Sequence, residues 1–422
     1  MKPAIKWRWT RRLGFGLAAA TLAGAAVRSA RLAAAEKLFF SGRPEAVRRA
    51  VRLEPRRALY RLGAAEARAL EGKDPREQLR AAVKANPYDA SVRIRLGMEA
   101  EARGDLGEAE AELLEAARRS RKYLPRWTLA GYYFRHGGGQ RFWVWAREAL
   151  SIAPGSPDAL FDLCWKREPA AETVLARAIP ERPEIKIAFA EFLGRRGHWA
   201  QAARLAPELL HRPTRRQTPR LLALLDGFVS HQQIPAGVEI WNGLCRRGWL
   251  PWAGKGARSS QWLTNPRFAR FPSGHGFDWR LHELPGASFH PAPGGGLRIE
   301  LSGRQPERTW LLRQWVPVFA SGPLRLKCRY EVSTGRDAAG NRPTGVRWRI
   351  WAAAPREGLL GECRLLRAAP AGGAAAGFVV PSGVRLLRVE LVHERQPGNS
   401  RFRGHVTLSR VTLELQEGLE KP

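Results

Sequence analysis

Between Val346 and Trp351 the chain reads VRWRIW. In an extended strand this alternation sets Arg347, Arg349 and Trp351 on one side and Val346, Trp348 and Ile350 on the other. An exposed indole beside guanidinium groups suits sugar recognition: the ring stacks on the apolar face of a pyranose and the polar neighbours donate to its hydroxyls. Trp351 is the first candidate, with Arg347 and Arg349 beside it. Trp310 and Trp279 follow, and Trp348 reads as core. The competing reading for each of these tryptophans is packing, because large aromatics are mostly buried.

Evidence for catalysis is thin. The sequence has no Gly-x-Ser-x-Gly elbow, phosphate-binding glycine loop, His-Glu-x-x-His or Cys-x-x-Cys. Of the nine histidines, His275, His282, His290, His393 and His405 fall in the C-terminal part, without metal-ligand spacing on one element. No metal, cofactor or enzymatic activity is therefore expected. A hydrolase or transferase remains a rival reading, because the separation of paired carboxylates is a three-dimensional property. Cys328 and Cys363 occupy inward strand positions, where a bridge and two buried thiols are both open.

The 422 residues carry 71 basic and 39 acidic side chains, a formal charge of +32. Residues 1–258 hold 47 basic and 26 acidic groups (+21), and residues 259–422 hold 24 and 13 (+11). Such diffuse excess lacks the stripe or block expected of a nucleic-acid footprint, so no specific nucleic-acid partner is expected. With 44% hydrophobic residues the chain has enough apolar material for real cores, and its length suggests two or three domains.

At the N-terminus Lys2, Lys6, Arg8, Arg11 and Arg12 precede the apolar run Leu13 to Val27. Basic residues followed by such a run read as an export signal or anchor. Fifteen helical residues reach about 22 Å against a hydrocarbon core of about 30 Å. Interfacial Trp7 and Trp9, with Arg12 and Arg28 snorkelling, would lengthen that span. The expectation is a basic cytoplasmic tail at 1–12 and a single-pass inner-membrane anchor at 13–28, with the bulk of the chain periplasmic. Signal cleavage and export is the alternative.

Residues 32–250 repeat a helical unit. Leu62-Gly63 and Leu96-Gly97 stand 34 residues apart, and Ala50 to Pro55, Ala82 to Pro87 and Ala149 to Pro154 share an Ala-x-x-x-x-Pro ending. Small residues at Gly97 and Ala109 would let paired helices approach closely, and proline would end the second helix. This pattern resembles the tetratricopeptide repeat, best over Asp89 to Arg121, where Arg121 replaces the closing proline. The resemblance implies a concave groove for a protein segment, lined by first helices. Tyr60, Trp127, Tyr132 and Tyr133 lie on those helices and are the groove candidates; aromatic core between helices is the other reading.

Near residues 251–259 (PWAGKGARS) the pattern changes from period 3.6 to period 2, which marks a linker. Beyond it, Leu297, Ile299 and Leu301 alternate with Arg298 and Glu300, and Leu324, Leu326, Cys328, Tyr330 and Val332 alternate with Arg325, Lys327, Arg329 and Glu331. Half-buried strands of this kind predict an all-β sandwich over 260–417 with a short tail at 418–422. Leu263 to Phe268 (LTNPRF), Gly276 to Trp279 (GFDW) and Gln314 to Val318 (QWVPV) resemble the opening of galactose-binding-like jelly rolls, a group that includes many carbohydrate-binding modules. Some members hold calcium through an Asp in the last strand; His405 to Gln416 contains none, so the resemblance implies no calcium here.

The expected fold is thus an α-helical tetratricopeptide-like solenoid followed by an all-β jelly roll. The architecture resembles repeat proteins that accompany bacterial exopolysaccharide and O-antigen machinery. It implies a non-enzymatic periplasmic adaptor that holds a protein in its groove and a polysaccharide on its sandwich. A scaffold that binds only protein is the alternative.

Overall fold

The computed structural model describes residues 4–257, 259, 261–334, 343–366, 373–395 and 397–416. The expected tail at 418–422 lies outside these residues, and the basic tail at 1–12 lies partly outside them. Helices come first and two antiparallel sheets follow, as the two hydrophobic periods predicted. The compact units divide within the helical region: one comprises Met1–Pro169 and Ala176–Pro180, the other Ala170–Leu175 and Glu181–Pro422.

The first unit holds α1 (Ala4–Phe40), α2 (Pro44–Leu53), α3 (Ala58–Leu70), α4 (Arg76–Ala85), α5 (Ala90–Ala102), α6 (Leu106–Arg119), α7 (Tyr123–Arg135), α8 (Gly139–Ile152) and α9 (Asp158–Arg167). Successive helices pack as pairs, α1 with α2 through α7 with α8. Asp89 and Asp105 start α5 and α6 by accepting from the backbone N–H groups of Ser91 and Glu108. Where these helices meet, a Cβ on Gly97 would lie 2.9 Å from Leu113 Cγ and 3.2 Å from the Ala109 carbonyl oxygen. The close approach inferred from Gly97 and Ala109 is therefore real.

The expected membrane anchor at 13–28 is not. Among the described residues no helix is long and apolar enough to cross a membrane. The apolar stretch of α1 is short, and alanine and glycine supply most of it, so it carries little apolar area per turn. Further along α1, Arg31 donates to the Leu53 carbonyl and pairs with Glu54, and Ala35 is fully buried. The inner-membrane location and the envelope setting inferred from that anchor lose their basis.

In the second unit, α10 (Ala171–Arg177), which straddles the division, precedes α11 (Pro183–Arg195), α12 (Trp199–Arg204), α13 (Ala206–Leu209), α14 (Thr218–Ser230) and α15 (Ile234–Arg246). The sandwich follows: β1 (Arg280–Leu281), β2 (Ala287–Pro291), β3 (Leu297–Ser302), β4 (Arg308–Pro317), β5 (Gly322–Thr334), β6 (Pro343–Ala354), β7 (Gly358–Leu366), β8 (Gly373–Val380), β9 (Leu386–Glu394) and β10 (Arg403–Leu415). One sheet has the order β1-β4-β9-β6-β7, the other β2-β3-β10-β5-β8, and every pairing is antiparallel. Their facing sides enclose one core, to which β3, β5 and β6 contribute the alternating residues identified from sequence. Cys328 and Cys363 are both free thiols, and burial pushes the Cys328 thiol up to about 12.

Candidate functional site

The outward side of the β1-β4-β9-β6-β7 sheet collects the sandwich's candidate residues other than Trp279. Antiparallel register places Arg388 of β9 opposite both Trp315 of β4 and Trp351 of β6, which makes a Trp–Arg–Trp row across three strands. Two residues along, the row reads Arg313, Glu390, Arg349, Glu362 across β4, β9, β6 and β7. Alternating charge in the cross-strand direction is favourable, since each arginine meets a carboxylate on the neighbouring strand.

Those charges bind one another. Arg347 donates to Glu362 at 2.9 Å, and Arg349 donates to Glu362 at 3.1 Å and to Glu394 at 2.5 Å. Arg313 donates to Glu390 at 2.5 Å, and Arg388 to Glu357 at 2.6 Å. Burial tends to raise the Glu362 carboxyl, but the bonds from Arg349 and Arg347 outweigh it and hold the group below its ordinary range. For Arg349, burial opposes the charge, and bonds to Glu362 and Glu394 still hold it above its ordinary value. Arg347 and Arg349, expected as sugar donors, expose only 11% and 12% of their side chains and are committed to glutamates. They build the platform on which the tryptophans sit.

Trp351 is half-buried, with the Arg388 guanidinium 5.2 Å from its ring centroid. Trp310 is also half-buried but more crowded: the His282 ring stacks on it at 4.3 Å and the Arg313 guanidinium lies 4.3 Å from its centroid. Trp315 was not among the sequence candidates. The sequence signal for it was the apolar pair Leu312 and Val316, four residues apart; both are buried, and Trp315, in the opposite phase of the strand, turns outward. Trp279 must be corrected. It is fully buried, packs at 5.7 Å on Trp348 and 5.6 Å on Phe268, and offers no face to a ligand.

The groove candidates divide in the same way. Tyr60, Tyr132 and Tyr133 are buried and serve as packing residues. Tyr60 lies against Phe39 at 4.9 Å, while the Tyr132 hydroxyl donates to the Leu106 carbonyl and the Tyr133 hydroxyl to Glu110. Burial first, then the Glu110 bond, pushes the Tyr133 phenol up to about 12. Trp127 alone of the four is half-exposed, stacked on Tyr123 at 6.3 Å. Tyr132 and Tyr133 border a shallow cleft of about 450 Å³ with Glu110, His136 and Arg141, where Arg141 also bonds Glu110.

Glu362 and Glu394 both accept from Arg349, and the Glu362 carboxyl is held below its ordinary range by Arg349 and Arg347 despite its burial. A glycosidase general acid needs the opposite environment, one that raises its pKa. Among the described residues, no group of three or more His, Cys, Asp or Glu side chains is placed to hold a metal ion.

No protein-family model matches the chain, and no curated protein matches it. Solved structures similar to it include both carbohydrate-binding modules and tetratricopeptide (TPR) proteins. TmCBM61, solved in complex with beta-1,4-galactotriose, shows 13% identity and a TM-score of 0.26 over 37% of this chain and 100% of its own. Yeast Tom70 shows 14% identity and a TM-score of 0.32 over 51% of this chain and 50% of its own. YrrB, a TPR protein with an unusual peptide-binding site, shows 11% and 0.25 over 50% and 94%. Likeness this slight says nothing about what this chain binds.

Proposed function

We propose that the chain is a non-enzymatic adaptor that binds a protein segment along its helical pairs and a glycan on the outward side of the β1-β4-β9-β6-β7 sheet. The observation that carries the glycan reading is the row Trp315–Arg388–Trp351. Two half-buried indoles flank an arginine already paired with Glu357, on a sheet face whose other arginines are also paired. Such a face has little net charge to attract anions and rigid aromatic surface to stack on uncharged pyranose rings. Trp351 leads because Trp310 is flanked by His282 and Arg313.

A glycan panel titrated against the intact chain, with Trp351→Ala and Trp315→Ala in parallel, tests the reading. Saturable binding to a neutral glycan that falls at least about tenfold in either variant supports it, the loss expected for one stacked ring. Binding that survives both substitutions, or no binding to any neutral glycan, overturns the glycan reading of this face. The intact chain is the right material because α14 contributes Asp226 to the sandwich's Arg280.

A further inference from the structure

The second outward face of the sandwich is built on the opposite electrostatic plan. On β5 the residues Arg325, Lys327 and Arg329 alternate outward and are exposed, about 6.8 Å apart at two residues per step. Register places Arg410 of β10 directly opposite Arg329, beside a bulge between Leu408 and Arg410. Like charges facing each other across strands oppose sheet stability. On β10 the neighbours of Lys327 and Arg325 are Thr412 and Glu414. Glu414 is bonded by Lys327 at 3.1 Å, and Glu331 lies exposed one step beyond Arg329.

Among the described residues, Arg325, Arg329 and Arg410 make no ion pair or side-chain hydrogen bond. This contrasts with Arg313, Arg347, Arg349 and Arg388 on the other face, all held by glutamates. The edge strand beside them is bare as well. Gly373, Ala375 and Gly377 of β8 stand opposite Arg329, Lys327 and Arg325, so β8 itself places no bulky side chain beside the cations; the Gln416 amide reaches that flank at Gly377.

We infer that this face is a docking surface for an acidic polysaccharide, carboxylated or sulfated. Repeating cations in a line fit a partner with repeating charge better than a single small anion. Guanidinium forks match carboxylate and sulfate oxygens in bidentate geometry. The outward positions of β2, β3, β5, β8 and β10 carry no Trp, Tyr or Phe among the described residues, so the stacking platform that single-stranded nucleic acid uses is missing. The inference does not rest on the tryptophan face: the two surfaces belong to different sheets and can fail separately.

The test titrates the intact chain with alginate, heparin, neutral dextran and a DNA duplex at fixed salt. Arg325→Glu/Arg329→Glu/Arg410→Glu is compared with a charge-matched control, Arg52→Glu/Arg56→Glu/Arg121→Glu, drawn from exposed arginines of the first unit. We expect alginate or heparin to bind the parent chain, the sheet variant to lose at least about tenfold in affinity, and the control to lose less than about threefold. Equal losses in the two variants would mean that overall charge, not this face, attracts the polymer, and would overturn the inference. So would DNA binding at least as tight as the polysaccharides with the same sensitivity, or no binding of either acidic polymer. Matched melting temperatures of the two variants keep misfolding from imitating the expected result.

Discussion

Asp226 of α14 accepts from Arg280, the first residue of β1, so one carboxylate links the last helical pair to the first strand of the sandwich. The same group accepts from the Gly276 backbone at 2.8 Å and pairs with His275 at 3.1 Å. Burial works against the Arg280 charge, and Asp226 is the main group restoring it. Removing that partner leaves a largely buried guanidinium whose remaining bond is to the Gly276 carbonyl. Asp226→Ala is therefore expected to lower stability by about 2–4 kcal/mol, the cost of breaking a partly buried pair. Chemical denaturation would show it, and a loss below about 1 kcal/mol would count against the contact as a structural link.

Lys255, placed by sequence in a linker, is buried, and its ammonium nitrogen bonds the Trp262 carbonyl at 2.7 Å. Desolvation pushes its pKa down to about 7, against about 10.4 in an unfolded chain. Between those values the unfolded chain holds a proton that the native chain has lost, so stability rises with pH across that window. Below about pH 7 the native state must carry the buried charge and this contribution is gone. The parent chain should gain up to about 1.4 kcal/mol per pH unit from pH 7 to 8 relative to Lys255→Met. Parallel stability curves for the two proteins over that range would refute the assignment.

These cases show which parts of the structure were legible in sequence. Strands β3, β5 and β6 could be read because each has one dry and one wet side, and their side-chain period records that directly. The α5–α6 contact could be read because glycine and alanine at fixed spacing have a local steric meaning. Gln314 hid Trp315: a polar residue facing inward looks like the wet side of a strand. Its amide is nonetheless satisfied inside, accepting from the Thr264 N–H at 2.8 Å and donating to the Thr264 carbonyl at 3.0 Å, fifty residues away. Trp279 was misplaced for a related reason, since its partners Phe268 and Trp348 arrive from other parts of the fold. Local alternation reports which side a residue faces; distant partners decide whether that side is covered.

The turns that follow the first helices give a third test. After α5 the chain reverses through Gly104 at φ +82°, a left-handed conformation that suits glycine. The corresponding position after α14 is Gln232, at φ +60° and exposed. An L side chain in that region costs about 1 kcal/mol, while glycine brings extra unfolded-state entropy. Gln232→Gly should therefore stabilise the chain by a few tenths to about 1 kcal/mol. A thermal melt checks the sign, and destabilisation would mean that the Gln232 side chain contributes something the backbone geometry does not reveal.

Trp279 and Trp351 provide the sharpest comparison of core with surface, because sequence placed both at the sugar site and the structure separates them. Trp279 is enclosed by Trp348 and Phe268 and donates its indole N–H to the Asn265 carbonyl at 3.3 Å. Truncation to alanine removes that bond and opens a cavity in the sandwich core, at an expected cost of about 3–5 kcal/mol. Trp351 is only half-buried, with Arg388 near its ring and its indole N–H without a partner to lose, so Trp351→Ala should cost less than about 1.5 kcal/mol. Denaturant unfolding of the two variants measures the difference directly. Similar losses would mean that Trp351 is as much a core residue as Trp279 and would remove the stacking surface that the glycan reading requires, whereas a wide gap leaves Trp351 with a ring that the fold itself does not need.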